Sequence, residues 1–523
     1  MANISLLDCT LRDGGYVNDW NFGREVTKDI LEKLVISQIE IIECGYISQE
    51  KGGNPDKTQF ATIEDVKKIL PRKYEFQQFA VMINYGEYNI EDIPDAEEDS
   101  PIIRVCFHKK SRYDAILYCN SLIKKGYKVF VQAMAALNYS DVEYIDLIEK
   151  TNDIKPYGFY IVDSFGVMEL KEFQRLISLT EHNLDENIIL GYHSHNNLQQ
   201  AYENAKFFVE QNLQHKLILD ASVYGIGRGA GNLNMELFAA YLNKNYEKSY
   251  NIDCMLEIMD EYLKPIFMEH FWGYSLPFYL SAQYNCHPNY AIFLAEKNTL
   301  SNKSISQILA GIPEDEKNSY SEDLAEKYYQ AFQEKYIEDK ETVLYLKKEI
   351  NNRKILILAP GKSLEKNKNV IKEYIKKYNP IVFAINVLPL DFRCDYLMCT
   401  NEKRIRKIKK TKECSLIITS NIMDKIQSDL IINYSSYLMS DNLITDNPTL
   451  ILLNLLINMG IQEIFIAGFD GYSAYPKDNY FDESLSMGTS LNIKLKKNKL
   501  IKKAVKELSK VIKINFITES LYE

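Results

Sequence analysis

The chain has 523 residues, which at about 150 residues per domain predicts about three domains, or two if one is a large barrel. Hydrophobic residues make up 46% and charged residues 26%, so the sequence can bury sizeable cores and is not mainly disordered. The net charge of −10 and the sequence pI near 5.5 disfavour a protein dedicated to nucleic acid or anionic membranes. Small-molecule chemistry is the better expectation.

Several features of the sequence indicate a cytoplasmic protein. The 9 cysteines include no C-x-x-C pair, which disfavours a disulfide framework and a zinc site made of thiolates. Residues 1–12 have no basic region followed by an apolar core, so no secretory signal is expected. The longest apolar stretch, residues 449–461, contains Asn454 and Asn458 and is too short to span a bilayer. We expect a buried helix there and no membrane span.

The first half of the chain alternates short β-branched runs with longer helical patterns, which is typical of βα units around parallel strands. The predicted strands are residues 4–8, 39–44, 76–83, 102–107, 128–133, 159–163, 188–193 and 217–223. This number of strands in roughly 240 residues matches a TIM (β/α)₈ barrel, so residues 1–245 are predicted to form one. A doubly wound α/β sheet is the alternative.

In the rest of the chain, the pattern of predicted strands and helices changes twice. Residues 246–350 lack strand runs and predict a helical extension and linker. Residues 351–523 return to an α/β pattern, with predicted strands at 354–358, 381–386, 415–419 and 463–468, which indicates a Rossmann-like domain. Two basic stretches, 403–412 and 494–510, alternate with apolar residues at helical spacing. This alternation favours solvated faces of amphipathic helices over nucleic-acid contacts.

Reactive groups collect at the carboxyl ends of barrel strands, and three of the predicted ends carry unusual polar residues. The first follows strand 4–8, where Arg12 and Asp13 precede the pair Gly14 and Gly15. A carboxylate there can bind a metal, and the guanidinium can stabilise an enolate or hold a substrate carboxylate. A surface salt bridge near a turn is the alternative.

The second end carries His193 and His195. Residues two apart in a strand point to the same side, so both imidazoles can bind one ion. Two histidines and a carboxylate leave coordination positions open for water and substrate, as a catalytic metal site requires. The chain has only 7 histidines, which makes this spacing informative, although a buried structural pair would give the same pattern.

The third end is a glycine-rich segment, residues 224–232, with glycines at every second position from Gly225 to Gly231. Such glycines allow a close backbone approach to a ligand and expose N–H groups to an anion. The spacing is not G-x-G-x-x-G, so the segment is a poor dinucleotide fingerprint. A tight turn that closes the barrel is the alternative.

Together, the motifs L-R-D-G-G, H-S-H-N and G-x-G-R-G-A-G-N resemble those of the DRE-TIM metallolyase superfamily. Its members include 4-hydroxy-2-oxovalerate aldolase, 3-hydroxy-3-methylglutaryl-CoA lyase, and the isopropylmalate and homocitrate synthases. The resemblance implies a divalent metal, commonly Mn²⁺ or Mg²⁺ with Zn²⁺ or Co²⁺ as alternatives. The implied ligands are Asp13, His193 and His195, with Asn232 as a further ligand. The resemblance also implies that Arg12 stabilises a pyruvate-like enolate and that Ser164 lies near the substrate.

Two departures from this superfamily leave the exact reaction open. The pyruvate aldolases continue the first motif with a histidine that acts as general base, whereas this chain has Tyr16. Tyr16 could transfer a proton only with a strongly lowered pKa or through a water. The cysteine-bearing glycine loop of the CoA lyases is also missing. Glu43, at the end of the second strand, is a candidate to orient Arg12 or to act as an acid, with a core-facing salt bridge as the alternative. His287, in a His-Pro step, is interpreted as part of a turn and left out of the site.

In the last third of the chain, residues 355–364 predict a strand, a glycine turn and a helix start, which favours a phosphate at the helix N-terminus. The segment is not a Walker A loop, because only the G-K-S ending of that motif is present. With segment 464–471 it resembles the nucleotide-binding fold of bacterial CMP-sialic acid-dependent sialyltransferases, although no histidine follows His287. The resemblance implies a nucleotide or nucleotide-sugar site at Gly361, Ser363, Asn386 and Asp395. A purely architectural domain is the alternative.

The sequence therefore predicts a divalent-metal-dependent aldolase or lyase that makes or breaks a carbon–carbon bond next to a 2-oxo acid, with an aldehyde as the second small molecule. The fused second domain suggests a place in surface-polysaccharide precursor metabolism. One alternative is an acyl-CoA-dependent Claisen synthase, and another is a nucleotide-sugar-binding or transferase protein with an inactive barrel. A homo-oligomer is expected, because barrels of this kind often dimerise through added helices.

Overall fold

The computed structural model describes residues 4–350, 353–405, 408, 413–482, 485 and 491–523. These residues form two compact units, Met1–Pro288 and Asn289–Glu523. The single division falls inside the segment 246–350, so the first part of the helical extension belongs to the unit that contains the barrel strands. The predicted boundaries near residues 245 and 350 stay predictions. Most of the basic stretch 403–412 lies outside the described residues.

The first unit contains a closed parallel β-barrel. Its strands are β1 Ile4–Asp8, β2 Ile41–Ile47, β3 Gln59–Phe60, β4 Gln78–Asn84, β5 Ile102–Phe107, β6 Val129–Ala133, β7 Gly158–Asp163, β8 Ile189–Ser194 and β9 Leu217–Ala221. Strand β1 pairs in parallel with both β2 and β9, which closes the sheet, while the short β3 pairs with the end of β2. The eight predicted strands and the TIM-barrel fold are confirmed, and the open doubly wound sheet is excluded for this unit.

Amphipathic helices cover the outside of this barrel. Leu170–Asn183, for example, buries Phe173, Leu176, Ile177 and Thr180, which share one face because they lie three or four residues apart. The helices of this part of the chain are Thr10–Asp13, Gly15–Asn18, Arg24–Ile36, Ile63–Lys67, Arg112–Lys124, Asp141–Ile154, Leu170–Asn183, Ala201–Glu210, Met235–Asn245, Ile252–Ile258, Lys264–Glu269 and Leu276–Gln283.

The second unit is built on an open parallel sheet. Its strands are β10 Ile355–Leu358, β11 Ile381–Ile385, β12 Tyr396–Cys399, β13 Ser415–Thr419, β14 Leu430–Ile432, β15 Glu463–Ala467 and β16 Lys513–Phe516, in the order β14-β13-β12-β11-β10-β15-β16. Apolar side chains cover both faces, since Ile355 and Ile357 pack on one side and Leu356 and Leu358 on the other. The parallel α/β pattern agrees with the expectation, and membership of the Rossmann-like class stays a prediction.

Helices accompany this second sheet along the chain. The helix Pro288–Glu296 begins at the division between the units, and the helices that follow it are Asn302–Ala310, Glu314–Lys317, Glu322–Gln333, Lys340–Ile350, Ser363–Lys366, Lys368–Tyr378, Glu402–Ile405, Pro448–Asn458 and Leu491–Leu508. Pro448–Asn458 covers most of the predicted apolar stretch 449–461 and is largely buried. In the described ranges, no helix combines the length and apolar character needed to cross a membrane.

Strand β8, which carries both histidines, passes very close to the aromatic ring of Tyr160 on β7. A Cβ atom built on Gly191 would lie 2.4 Å from two atoms of that ring. Tyr160 is fully buried, so its ring cannot swing out to solvent. Glycine at position 191 is therefore required for β8 to pack against β7 at this point.

We predict that Gly191→Ala lowers the free energy of unfolding by about 1–3 kcal/mol, because overpacking a buried site forces strain on its neighbours. The measurement is urea unfolding of the full chain. The matched control is a double-mutant cycle with Tyr160→Leu, which removes the ring atoms that the new methyl group meets. The alanine should cost less in that background, and an equal cost in both backgrounds would show that the ring is not the obstacle.

Candidate active site

Three residues from distant parts of the chain meet at the carboxyl end of the barrel. Asp13 ends the one-turn helix after β1, His193 lies in β8, and His195 follows it. One ligand atom from each lies within 4.8 Å of the others, and all three side chains are buried. The structure thus brings together the predicted metal ligands, because the ends of neighbouring strands converge in a closed barrel.

The orientation of His193 is set by a carboxylate on the next strand. Its Nδ1 atom lies 2.9 Å from Oδ2 of Asp220 in β9. Because an ionised carboxylate only accepts hydrogen bonds, Nδ1 carries the proton and donates it, which leaves Nε2 as the free ligand atom. This carboxylate–histidine arrangement is typical of metal sites. Asp220 is the positioning residue that sequence reasoning missed.

Several buried polar atoms around Asp13 have no hydrogen-bond partner in the described part of the chain. They are Nδ1 of His195, Oδ1 of Asn232 and Nη2 of Arg12. Burial lowers the pKa of His195 to about 3, so its imidazole is neutral and can serve as a metal ligand. Unsatisfied buried polar atoms are rare in proteins and call for a ligand. The donor set of one carboxylate, two imidazoles and an amide oxygen therefore fits a divalent cation.

Asn232 also holds Asp13 in place. Its Nδ2 group donates to Oδ2 of Asp13 at 2.8 Å and to the backbone oxygen of Ile226 at 3.0 Å. Both bonds use Nδ2, and Oδ1 has no hydrogen-bond partner among the described residues. The predicted role of Asn232 as a further ligand is compatible with this orientation.

Two of the three guanidinium nitrogens of Arg12 have partners, and the third has none among the described residues. Its Nε donates to Oε2 of Glu43 at 2.8 Å, and its Nη1 pairs with Asp13. Nη2 has no partner among the described residues, although Arg12 is only 3% exposed. Glu43 was predicted either to orient Arg12 or to form a salt bridge that faces the core. Both interpretations describe this one contact, because the salt bridge inside the barrel orients Arg12.

A chain of charges continues from Glu43 through the barrel interior. Arg104 in β5 is fully buried and donates to Oε2 of Glu43 at 2.7 Å. It also pairs with Asp220, whose other contact is His193. Arg12 and His193 are therefore positioned by the same buried cation. Burial raises the pKa of Asp220, but Arg104 and His193 outweigh it and hold this pKa below its usual value.

Asp13 is ionised despite its burial. Desolvation opposes its charge, but Arg12, His195, His193 and Arg228 outweigh that effect and hold its pKa well below the usual range. An ionised carboxylate is the form that binds a metal.

Tyr16 does not have the property that direct proton transfer would require. Its hydroxyl lies 2.9 Å from that of Tyr46, and desolvation raises its pKa more than the nearby Arg228 lowers it. The raised pKa disfavours direct proton transfer by Tyr16, although the residue is 39% exposed. Proton transfer through a water stays a prediction.

Ser164 lies beside Arg228, which reaches across the same end of the barrel. The hydroxyl oxygen of Ser164 accepts from the backbone N–H of Ala135 at 2.8 Å, and its backbone oxygen accepts from Nη2 of Arg228 at 2.8 Å. The guanidinium carbon of Arg228 also lies 5.5 Å from the centre of the Tyr16 ring. Arg228 was missed as a site residue, and its place in the glycine-rich motif was the available signal.

Two histidines near Arg228 were also left out of the predicted site. The ring of His287 lies 6.5 Å from that of Phe165, centre to centre, in an edge-on arrangement. Burial, with smaller contributions from Arg228 and His108, lowers the pKa of His287 to about 3. Burial also lowers the pKa of His108. In the sequence, only the His-Pro step at residues 287–288 drew attention to this region. The segment is far along the chain from the barrel strands, so its sequence does not show that it packs near them.

In the second unit, two of the four predicted nucleotide-binding residues share a cavity. Gly361 and Asn386 line a cavity of about 150 Å³, whereas Ser363 and Asp395 do not. The carboxylate of Asp395 accepts from the backbone N–H of Val382 at 2.8 Å and from Arg393 at 3.1 Å. Its assignment to the site was wrong, because Asp395 precedes β12 and so lies at the opposite edge of the sheet.

The helix start after Gly361 is occupied by the protein itself. The carboxylate of Asp470 accepts from the backbone N–H of Ser363 at 2.7 Å and from the Ser363 hydroxyl. The phosphate position that the sequence suggested at this helix N-terminus is therefore taken by a carboxylate. Ser363 is a structural residue that joins the turn after β10 to the turn after β15.

Comparison with known proteins finds relatives of the first half of the chain. Residues 3–260 match the family model described as HMGL-like, and we call them the HMGL-like domain. It is 24% identical over 280 residues to a 4-hydroxy-2-oxovalerate aldolase of Desulfitobacterium hafniense, covering 51% of this chain and 79% of that protein. A 4-hydroxy-2-oxovalerate aldolase of Carboxydothermus hydrogenoformans is 26% identical over 270 residues, covering 50% and 77%.

Three other proteins are also similar to the HMGL-like domain. An oxaloacetate decarboxylase of Mycobacterium tuberculosis is 22% identical over 246 residues, covering 46% of this chain and 70% of that protein. Among solved structures, the HMG-CoA lyase from Brucella melitensis is 15% identical with a TM-score of 0.40, covering 51% of this chain and 99% of that chain. Hydroxymethylglutaryl-CoA lyase from Pseudomonas aeruginosa is 15% identical with a TM-score of 0.41, covering 51% and 93%.

We predict that Asp220→Asn lowers the affinity of the protein for Mn²⁺ by about 10–100-fold, because outer partners of ligating histidines fix the ring and its tautomer. Calorimetric titration of metal-free protein measures this change. The matched control is Asp163→Asn, a buried carboxylate at the end of β7 that accepts from the backbone N–H groups of Val167 and Met168. Equal losses in both variants would contradict a specific role for Asp220.

Proposed function

We propose that the HMGL-like domain is a divalent-metal-dependent lyase that breaks or forms a carbon–carbon bond next to a 2-oxo acid, with pyruvate and an aldehyde as the products of cleavage. The observation that carries this proposal is the convergence of Asp13, His193 and His195 beside a buried Arg12 with an unused Nη2 donor. A metal site next to a free guanidinium donor suits a reaction that develops negative charge on a bound oxygen.

The relatives support this reaction class. Cleavage of 4-hydroxy-2-oxovalerate between C3 and C4 leaves the enolate of pyruvate, and loss of CO₂ from oxaloacetate leaves the same enolate. Proteins with both names are among the relatives of this domain. The shared element is the pyruvate enolate, so we propose a 4-hydroxy-2-oxo acid as the substrate class.

The metal would be held by Asp13, His193 and His195, with Oδ1 of Asn232 available as a further ligand. When bound, Mn²⁺ or Mg²⁺ would act as a Lewis acid toward the 2-oxo group of the substrate, and Zn²⁺ or Co²⁺ would also suit the imidazole ligands.

Arg12 is proposed to bind the oxygen on which charge accumulates. In the direction of cleavage, a base removes the proton of the C4 hydroxyl and the C3–C4 bond breaks. The bonding pair stays with the pyruvate unit as an enolate, the aldehyde leaves, and C3 then takes a proton. Nη2 of Arg12 donates to the enolate oxygen, while Glu43 and Asp13 keep the guanidinium from rotating.

His287 is proposed to carry the proton that Tyr16 cannot take directly. Tyr16 has a raised pKa, whereas the imidazole of His287 is neutral and has a ring nitrogen that can accept a proton, although burial lowers its pKa and so weakens it as a base. Arg228 connects this histidine to the site, because it lies near His287 and also donates to the backbone of Ser164. Tyr16 and Ser164 are then left to bind the substrate.

The test of the proposed function is a pyruvate-release assay on the full chain with Mn²⁺ or Mg²⁺ and a series of 4-hydroxy-2-oxo acids. We expect metal-dependent release, and its loss in the double variant His193→Ala/His195→Ala. His182→Ala is the control, since His182 is exposed on a helix. Release of free CoA from an acyl-CoA and a 2-oxo acid would instead indicate a Claisen synthase, and full activity of the double variant would refute the metal-dependent mechanism.

We predict that His287→Gln lowers kcat by about 10²–10⁴-fold while metal affinity stays unchanged, because removing a proton carrier slows the chemical step without touching the ligands. Steady-state kinetics and metal titration measure the two effects. His270→Gln is the matched control in the same helical segment, because His270 is exposed. A His287→Gln enzyme with unaltered kcat would exclude His287 as the base.

A further inference from the structure

The cavity in the second unit lies where the strand order of the sheet reverses. Strands β11 to β14 extend to one side of β10, and β15 and β16 extend to the other. The lining includes Gly361 after β10, Asn386 after β11, Asn401 after β12 and Asp470 after β15. In open parallel sheets, the crevice at this point and at the carboxyl ends of the strands is where ligands bind.

Glycines bring the turns after β10 and β15 together at one end of this cavity. A Cβ atom on Gly361 would lie 2.4 Å from the backbone oxygen of Gly468, and one on Gly468 would lie 2.0 Å from that of Ala359. Gly468 also has a φ of 75°, which disfavours other residues. The two turns are therefore packed backbone to backbone, and the cavity wall at this end is rigid.

Three basic side chains that line the cavity are largely or partly buried. Arg404 and Lys494 are each only 7% exposed, and Lys497 is half-buried. Lys494 and Lys497 lie on the same face of helix Leu491–Leu508 as the buried Ile501 and Val505. Lys494 thus occupies an interior position that an apolar residue would normally fill, and Lys497 is partly exposed beside it. The expectation that this basic stretch forms only a solvated face is wrong for Lys494.

Carboxylates near these residues lie beyond ion-pair distance, and two of them, Asp446 and Glu296, still act to raise the pKa of Lys497. Across the described residues, no ion pair joins Arg404, Lys494 or Lys497 to an acidic group within 4.0 Å. Arg404 instead donates to the backbone oxygen of Leu485 at 3.0 Å and lies 5.7 Å from the ring centre of Tyr480. Desolvation lowers the pKa of both Arg404 and Lys497. Buried cations without partners are costly, and a bound anion would compensate for them.

The acidic residues of the lining are already engaged. Asp470 accepts from Ser363, and Asp446 accepts from the hydroxyl of Tyr329. Lys297, a fourth basic residue of the lining, is paired with Glu326 at 2.5 Å, outside the lining. Hydrogen bonds do not remove the charges of Asp446 and Asp470. The three basic residues Arg404, Lys494 and Lys497 therefore exceed these two carboxylates by one positive charge. A planar guanidinium with two ammonium groups suits the several oxygens and the double charge of a phosphate group.

A second observation indicates the rest of the ligand. Oδ1 of Asn386 lies in the cavity lining, and Asn386 is only 7% exposed, yet this oxygen has no hydrogen-bond partner within the described ranges. It is an acceptor and therefore requires a donor, which a bare phosphate dianion does not supply. The hydroxyl group of a sugar is such a donor.

We propose that this cavity binds a small phosphate ester with a hydroxylated body, with Arg404, Lys494 and Lys497 contacting the phosphate and Asn386 accepting from a hydroxyl. Sugar phosphates and nucleoside monophosphates share this chemistry. The site does not depend on the activity proposed for the barrel, since every residue that forms it belongs to the second unit.

The experiment is calorimetric titration of the full chain with ribose 5-phosphate, uridine 5′-monophosphate, inorganic phosphate, ribose and uridine. We expect at least one phosphate ester to bind at least 10-fold more tightly than its unphosphorylated counterpart and than inorganic phosphate. Ribose 5-phosphate binding as tightly as the nucleotide would assign the site to sugar phosphates, and the reverse would assign it to nucleotides. Failure of both esters to bind at millimolar concentration would overturn the proposal.

Variants locate the binding in the cavity. Arg404→Gln and Lys494→Gln should each weaken ester binding by about 10–100-fold, because each removes a hydrogen bond to a charged group. Lys496→Gln is the matched control, since Lys496 is an exposed lysine of the same helix. Asn386→Leu should weaken ester binding and leave that of inorganic phosphate unchanged. Circular dichroism checks that each variant is folded, and equal weakening by Lys494→Gln and Lys496→Gln would refute the site.

Discussion

The buried guanidinium of Arg104 is the interaction on which the geometry of the barrel site depends. It binds two carboxylates at once, and each carboxylate holds one functional side chain, Glu43 holding Arg12 and Asp220 holding His193. Such a network adds little stability by itself, because the desolvation of its charges offsets their attraction. The effect of the network is to fix the positions of Arg12 and His193. His193 and Arg12, which come from opposite ends of the domain sequence, are oriented by one residue in the barrel interior.

Much of the fold could be predicted from the sequence, because each barrel strand is a β-branched run bounded by helical patterns. The strands missed were short ones in the second unit, such as Leu430–Ile432, whose length cannot be distinguished from that of a loop segment. Asp13, His193 and His195 could be placed together because all three follow or end a strand. Arg104 and Asp220 could not, since a single charge inside an apolar strand gives no sign of which other strand it will face.

Order along the chain explains the errors in the second unit. In the structure Asn386 follows strand β11 and Asp395 precedes strand β12, which was not predicted from the sequence, so they lie at opposite edges of the sheet. Local sequence likewise does not reveal that Asp470, more than a hundred residues later, caps the turn after Gly361. The lysines of Leu491–Leu508 look alike in composition, and only packing separates the interior Lys494 from its solvated neighbours.

Closure of the barrel through the pairing of β1 with β9 also determines when the site can exist during synthesis. Asp13 and Asn232 are separated by 219 positions, and both Asp220 and Asn232 come from the last strand or beyond it. A nascent polypeptide released only as far as His195 already contains Asp13, His193 and His195 but lacks strand β9, whose Asp220 orients His193. Binding of the proposed cation would thereby be coupled to completion of the ring, and a bound ion would favour the closed domain over partly translated or opened forms.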